Sequence, residues 1–402
     1  MALTIGEDGI PICPAEELAQ APLTKIDDLR RISPVVRTDA NRVMALRADD
    51  VARLSHDPQL PQLPGAHFAK ALGIPEGRCR AFLENFMLMS NGADHHHKRG
   101  AFAKTFSHPA IRAKRGLVRV VARQIVADLP RGEPFDFLAL CASRLPAEVI
   151  AKMLGLPVQS SSWFAGQVYS FSRCLMVPYA IDRHDEIEGS AEALYRFVSA
   201  ELDDRREKAR DDLLSSLVQD ETARALESED LIYQVMGIIL AGSDTTRSGF
   251  NLLVGRLLAD RTLWEAVGED RALIPAAIDE ALRIEPPVGS LPRLVTAPVA
   301  LDSHLVAPGQ LLALSTLSAM RDEARLDAAQ CFNLQRTDHI RPHLVFGGGP
   351  HRCLGEMLAR IELEEGLAAL LDDASGIELI EAPRMMGISG IRRSTPLIAR
   401  IS

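Results

Sequence analysis

The chain has 402 residues, 47% of them hydrophobic and 25% charged, with a formal net charge of −9. That composition is globular, and the acidic surplus argues against a nucleic-acid binder, which normally carries a basic one. No run of about 20 apolar residues is available to span a bilayer. Met1–Glu17 lacks the basic and apolar regions of a signal peptide. The six cysteines, Cys13, Cys79, Cys141, Cys174, Cys331 and Cys353, form no CxxC pair. Neither a disulfide framework nor a zinc ribbon is expected, and the compartment reads as a reducing cytoplasm. Five of them read as small buried hydrophobes.

In chain order, short β-rich runs bounded by Pro, Gly and Asp appear at Val35–Ala45, Arg293–Ala300, Gln310–Leu314 and Ile377–Ile401. Between Lys98 and Ile284 the pattern is helical. Apolar residues recur three and four apart in Ala110–Leu129, Pro146–Leu154, Glu188–Ala209, Glu229–Leu258 and Ala272–Ile284. Pro146 suits a first helical turn, and Asp211-Asp212 suits an N-cap for Leu213–Val218. The Pro/Gly-rich Pro58–Gly77 reads equally as a lid or a plain surface loop. The layout is mainly α with a small β component.

The most informative string is Phe346-Gly347-Gly348-Gly349-Pro350-His351-Arg352-Cys353-Leu354-Gly355, with a helix expected from Leu354 to Leu371. A cysteine ahead of a helix N-terminus sits where free N–H groups favour a thiolate. The glycines let backbone fold tightly over the sulfur, and its N–H groups can tune a thiolate ligand. A thiolate nucleophile is the rival reading, with His351 nearby as base. A phosphate loop is not, since no Gly-Lys-Ser/Thr follows.

At this string the chain resembles the cytochrome P450 family, whose haem-binding signature it matches at every defined position. The resemblance implies a P450 fold: a single large helical domain with peripheral sheets, a catalytic body at 30–401 and an extension at 1–29. It implies haem b with Cys353 as axial ligand, donating electron density that favours O–O cleavage. Phe346, Gly347, Gly349 and Gly355 then frame the haem.

Further strings agree, in the expected order. Ala241-Gly242-Ser243-Asp244-Thr245-Thr246 lies in an apolar helix. Gly242 costs about 1 kcal/mol there against Ala, and buried polar groups need partners or a task. Alone the string reads either as a kinked core helix with a trapped water or as a widened turn. The resemblance implies that Asp244 and Thr245 relay protons for dioxygen cleavage and that Ala241 and Gly242 border the haem. Glu280 and Arg283 form an i, i+3 pair, which alone would be a weak surface pair. The resemblance makes it buried, with Arg336 as third member, supporting the cysteine loop. In His95-His96-His97-Lys98-Arg99, three consecutive histidines on a helix point about 100° apart and cannot share one metal ion. The resemblance assigns His95, Arg99, Arg293 and His351 to the haem propionates, held by charge-assisted bonds. Gly92-Ala93-Asp94 departs from the family's usual Pro-Pro-Glu, so the helix start is expected to differ there.

The resemblance implies a monooxygenase, and the acid–alcohol pair separates it from peroxide-driven or isomerase relatives. A haem-binding sensor or carrier without turnover is the alternative, and it has no need of Asp244 and Thr245. The chain has no flavin or iron–sulfur motif of its own, so electrons are expected from a small ferredoxin with its reductase. Lys98, Arg99, Lys104, Arg112, Lys114, Arg115 and Arg352 either form a basic patch that steers it or are ordinary solvated charges. Carried over by position, Leu88, Gly237, Leu240, Ala241, Thr245, Val288, Gly289 and Ile391 line the substrate pocket. Gly237 and Gly289 are expected to leave room there, and Met176, Met385 and Met386 add adaptable lining. A compact apolar substrate is expected, with no nucleic acid and no membrane span.

Overall fold

The computed structural model describes residues 4–39, 41–156 and 161–402. It divides into two compact units. One comprises the chain up to Leu63, Ala276–Cys353 and Arg384–Thr395; the other comprises Pro64–Pro275, Leu354–Pro383 and Pro396–Ser402.

The first unit is built on one sheet. Its strand order is Thr4–Ile5, Pro11–Ile12, Val35–Asp39, Arg42–Ala45, Leu311–Leu314, Val288–Leu294 and Gly390–Ile391. Val35 pairs with Ala45 and Val36 with Met44, antiparallel, while Arg42–Ala45 runs parallel to Leu311–Leu314. Side chains alternate between the faces of a strand. Val35, Val43, Ala45, Leu312 and Leu314 therefore enter one apolar cluster, and Val36, Met44 and Ala313 enter another. Both faces of these strands are covered, which explains their near-continuous apolar sequence. Each buried Val or Leu contributes roughly 1.5–3 kcal/mol.

The second unit is helical, as the 3.6-residue spacing predicts. Its longest helix, Ser228–Ala259, buries Leu231, Ile232, Val235, Met236, Ile239, Leu240, Leu253 and Leu257. The helix Arg115–Ala127 buries Val118, Val121, Ala122 and Ile125. It is tied to Glu356–Asp373 by Arg115 and Arg119, which donate to Glu365 at 2.8 and 2.7 Å. A sheet of Ile377–Glu381, Ile398–Ile401 and Pro134–Asp136 completes the unit.

Several expected bounds shift. Ala110–Leu129 is two helices, His108–Ala113 and Arg115–Ala127, meeting at Lys114. Pro58–Gly77 contains the helix Gly65–Ala71, packed so closely on Leu83 that only glycine fits at its first residue. Ile377–Ile401 is a series of short strands rather than one run. Glu188–Ala209 is helical over His184–Glu207. Pro146 lies in the first turn of Arg144–Met153, and Asp212 caps Leu213–Gln219 by accepting from the Ser215 N–H at 2.7 Å. Four cysteines are buried, but Cys331 joins Cys353 at the surface, which corrects the buried reading of Cys331. Among the described residues no helix is long and apolar enough to cross a membrane.

Candidate functional site

The cysteine string folds as two short 3-10 turns, Leu344–Phe346 and Gly349–His351. Gly347 and Gly349 hold φ of 71° and 62°, a region that disfavours any Cβ. Gly348 is required for space: a Cβ there would overlap Ser55 and His56. The loop closes on itself. Cys353 N–H donates to the Phe346 carbonyl at 2.8 Å, and the Arg352 side chain donates to the Gly347 carbonyl at 2.9 Å. The result is an exposed Cys353 on a backbone fixed from behind. The following helix starts at Glu356, after Gly355, rather than at Leu354. The extra turn leaves Leu354 and Met357 half-buried and puts Leu358 and Ile361 in the core.

Behind this loop stands the expected ion triad, and it is buried. Arg283 donates to both Glu280 oxygens at 2.6 and 3.0 Å, and Arg336 Nε donates to Glu280 at 3.0 Å. Burial alone would raise the Glu280 pKa, but hydrogen bonds from Arg283 and then Asn333 and Arg336 charge hold it below the ordinary carboxylate value. Arg283 also donates to the carbonyls of Met320, Ala329 and Cys331. Next to Glu280, Asp279 accepts from Arg341, and its carbonyl meets His343 Nε2 at 3.3 Å. His343 precedes Leu344–Phe346, so the triad's helix is linked directly to the root of the cysteine loop.

In the same unit, Arg293 is 3% exposed. Its partners are the Gln62 Oε1 atom at 2.6 Å and the Pro292 carbonyl at 3.0 Å, with no carboxylate among the described residues. Burial pushes its pKa down to about 10. A buried guanidinium without a counter-charge is costly, so the position suits an anionic group such as a haem propionate. His351 and Phe346 are half-buried in the loop itself. Ile391 pairs with Val288 across two strands, so two expected pocket residues are neighbours. Gly289 does not leave room beside them: a Cβ there would lie 2.6 Å from the Ile388 carbonyl oxygen. Met385 is buried and Met386 is exposed on a strand that pairs with Arg393–Ser394 in a separate two-stranded sheet.

In the second unit, the helix Gly92–Ala103 begins with Gly92 at φ 59°, the local departure expected where Pro-Pro-Glu is missing. Of its three histidines only His95 is buried. Burial, then the charge of Arg99, pushes the His95 pKa down to about 4. Among the described residues no group of His, Cys, Asp and Glu is arranged to hold a metal ion. Lys98 does not belong to a surface patch: it is buried and donates to Asp94 at 3.0 Å. Arg115 is likewise engaged, by Glu364 and Glu365. Lys104, Arg112 and Lys114 remain exposed, while Arg99 and Arg352 are half-buried.

The helix Ser228–Ala259 is continuous through the polar run, which corrects the widened turn read there as one of two alternatives. Its polar residues are absorbed locally: Ser243 and Thr245 donate to the carbonyls of Ile239 and Ala241 at 2.7 and 3.1 Å. Ala241 is nevertheless exposed in mid-helix, and nothing lies within 4 Å of a Cβ built on Gly242. Asp244 is fully buried, ion-paired with Arg247 and within 3.4 Å of the Ser172 hydroxyl. The Arg247 guanidinium lies 4.0 Å above the Tyr169 ring. Gly237 is filled rather than open, because a Cβ there would overlap the Phe86 ring. Leu240 is buried, and Leu88 and Met176 are half-buried.

Four residues that sequence patterns did not single out shape these parts. Gln234 accepts from Met87 N–H at 2.8 Å and donates to the Asn85 carbonyl at 2.9 Å, clamping the segment before Leu88. Arg392 is buried and donates to Glu285 at 2.9 Å and to the carbonyls of Gly387 and Pro286, fixing the Val288–Ile391 corner. Arg247 supplies the counter-charge to Asp244. Glu362 is fully buried, with its pKa pushed well up by burial against a hydrogen bond from Thr246. The available signal was a Gln, Arg or Glu on an otherwise apolar face.

The model of the family described as "Cytochrome P450" matches residues 159–373. The plant-inducible cytochrome P450-pinF1 of Rhizobium radiobacter is 38% identical over 371 residues, covering 92% of this chain and 87% of that one. The 20-oxo-5-O-mycaminosyltylactone 23-monooxygenase of Streptomyces fradiae is 28% identical over 392 residues, covering 94% and 89%. In structure, P450BioI bound to a hexadec-9Z-enoic acid-ligated acyl carrier protein superposes with a TM-score of 0.86 at 20% identity, covering 96% of this chain and 100% of that one. This chain therefore belongs to the cytochrome P450 family, as a monooxygenase that uses haem iron, dioxygen, an organic substrate and an electron-transfer partner.

Proposed function

We propose that residues 30–401 act as one catalytic body that oxidises a small-to-medium apolar substrate in the cytoplasm, using haem b and electrons from a separate ferredoxin and reductase. The observation that carries the reading is the cysteine loop: Cys353 is exposed on a backbone closed by Cys353 N–H to the Phe346 carbonyl. Bound through that sulfur, a haem would supply dioxygen activation, with thiolate donation favouring O–O cleavage. Arg293 and His351, and His95 and Arg99, are assigned to the propionates. Arg293 supports this best, being buried with no carboxylate partner among the described residues. Phe346, Gly347, Gly349, Gly355, Ala241 and Gly242 are assigned to the haem surround.

Asp244 and Thr245 are assigned to proton delivery. Arg247 holds the Asp244 carboxylate in place. The Thr245 hydroxyl spends its hydrogen on the Ala241 carbonyl. Its oxygen can therefore accept a proton donor while its own hydrogen stays anchored. Leu88, Leu240, Val288 and Ile391, with Gly237 and Gly289 as packing positions, are assigned to an apolar substrate wall. Lys104, Arg112 and Lys114, exposed and without carboxylate partners among the described residues, support steering of an acidic ferredoxin.

The test is the absorbance spectrum of the reduced, carbon-monoxide-bound protein. A strongly red-shifted Soret band that is lost in Cys353→Ser is expected. A histidine-like band in the wild type, or retention of the red-shifted band in the variant, would refute Cys353 as ligand.

A further inference from the structure

One arginine ties three helices of the second unit together. Arg78 starts the helix Arg78–Asn85, directly after the Pro/Gly-rich run that ends at Gly77. Its guanidinium donates to Glu192 at 3.0 Å on the helix His184–Glu207. It also donates to Glu229 at 2.9 Å and to the Tyr233 hydroxyl at 2.8 Å, both on the helix Ser228–Ala259. The same group lies 3.7 Å above the Tyr195 ring, a cation–π contact. Glu188 completes the tie. Its two oxygens accept from the backbone N–H groups of Arg78 and Cys79, the latter at 2.9 Å, so a carboxylate of one helix caps the positive end of another. Gly77 makes room for that carboxylate: its φ is 153°, and a Cβ there would lie 2.6 Å from a Glu188 oxygen.

The two ends of the helix Arg78–Asn85 are held by different forces. The arginine end is wet: the side chains of Arg78, Glu192 and Glu229 are 25%, 34% and 58% exposed. Ion pairs in contact with water are individually weak and are screened by salt. The other end is dry and apolar. Phe82 packs edge to face on Phe171 at 4.8 Å and stacks on Phe86 at 5.0 Å. The Phe86 ring fills the notch at Gly237, one helical turn before Leu240, and Leu88 follows Phe86 by two residues.

We propose that Arg78 and Glu188 form an electrostatic latch that gates the passage of an apolar ligand between Leu88 and Leu240; this rests on the assignment of both residues to the substrate wall. The contacts at the wet end converge on Arg78 and on the helix terminus it starts, so they release together. Release frees the helix Arg78–Asn85 from His184–Glu207, and the Phe82–Phe86 stack carries the movement to the Gly237 notch. Withdrawing the Phe86 ring separates the segment bearing Leu88 from the helix bearing Leu240. Gln234, bonded to the Met87 N–H and the Asn85 carbonyl, limits the travel. A closed latch slows entry and exit alike. It leaves affinity nearly unchanged, because the latch contacts are the same with the ligand bound and with it absent.

The experiment uses the haem-loaded ferric protein and 4-phenylimidazole, an apolar probe whose nitrogen binds haem iron and shifts the Soret band. Stopped-flow absorbance at about pH 8, where an imidazole is neutral, gives its association and dissociation rates. Arg78→Met keeps an apolar stem and removes the guanidinium. It should raise both rates about three- to tenfold while Kd changes less than about twofold. Hydrogen exchange in 78–85 should quicken in parallel. In the wild type, raising NaCl from about 0.05 to about 1 M shortens the screening length to about 3 Å and should speed both rates. Arg78→Met should lose that response, and Glu188→Gln should weaken it. If Arg78→Met fails to load haem, the salt responses of the wild type and Glu188→Gln decide. Leu88→Trp tests the wall separately: a changed Kd supports Leu88 as wall, and an unchanged Kd overturns that assignment and with it the placing of the gate. Unaltered rates in Arg78→Met, or an equal salt response in variant and wild type, overturn the latch itself even with the wall intact. A Kd that rises in step with dissociation at a constant association rate also overturns it, since Arg78 would then only shape the pocket.

Discussion

Arg283→Ala should unfold the first unit or nearly so, and the structure allows the size of the effect to be worked out. The guanidinium makes five hydrogen bonds, two to Glu280 and one each to the carbonyls of Met320, Ala329 and Cys331. Removing it does not leave Glu280 bare, since Arg336 at 3.0 Å and the Asn333 N–H at 2.8 Å remain. The broken ion pair should therefore cost toward the lower end of the range for buried pairs, about 3 kcal/mol. The Cys331 carbonyl keeps Arg336 Nη2 at 3.2 Å. The Met320 and Ala329 carbonyls lose their guanidinium donor, at about 1–3 kcal/mol each. The sum is about 5 kcal/mol or more, against a typical total stability of roughly 5–15 kcal/mol. Urea unfolding followed by far-UV circular dichroism, with haem retention measured in parallel, reads this directly. Arg283→Lys, which keeps the charge but not the forked geometry, should fall between. A loss below about 1 kcal/mol in the alanine variant would refute the reasoning, since no relaxation of neighbours supplies five lost hydrogen bonds in a fully buried site.

Other expectations follow from single contacts. Thr245→Ala should retain haem but raise peroxide released per electron consumed; unchanged product yield per electron would count against a relay role. In the haem-free protein, His95 has a folded pKa of about 4 against an ordinary 6.5. The neutral form is thus favoured on folding, and stability should fall as pH drops from about 6.5 toward 4, by roughly 3 kcal/mol; His95→Gln should flatten that slope, and an unchanged slope would exclude His95 as its source. Glu362 has a raised pKa, so its contribution is fullest below the unfolded carboxylate value and is lost as pH rises. Glu362→Gln should therefore gain melting temperature over wild type increasingly from pH 5 to pH 8, and a pH-independent difference would reject the buried acid. Gly237→Ala should destabilise by about 1–3 kcal/mol through overlap with Phe86; a Phe86→Ala background should remove most of that penalty, whereas additive losses would place the strain elsewhere.

Local patterns singled out the residues that are proposed here to carry the chemistry. Glycine spacing before Cys353 needs no tertiary information, because positive φ at Gly347 and Gly349 is a local demand of the turn. The i, i+3 spacing of Glu280 and Arg283 likewise put both on one helix face, and the 3.6-residue period located the helices to within a few residues. What neighbours do to a residue was decided only in three dimensions. Lys98 looks like surface charge in sequence, yet it is buried and donates to Asp94. Gly237 looks like spare volume, yet Phe86, 151 positions away in the chain, fills it. The polar residues Ser243, Asp244 and Thr245 suggest a kinked or widened helix, but the Ser243 and Thr245 hydroxyls return to carbonyls four residues back and the helix runs on. A chain pattern fixes which way a side chain points from its own element; it cannot say which distant group will meet it, because that depends on how the elements pack.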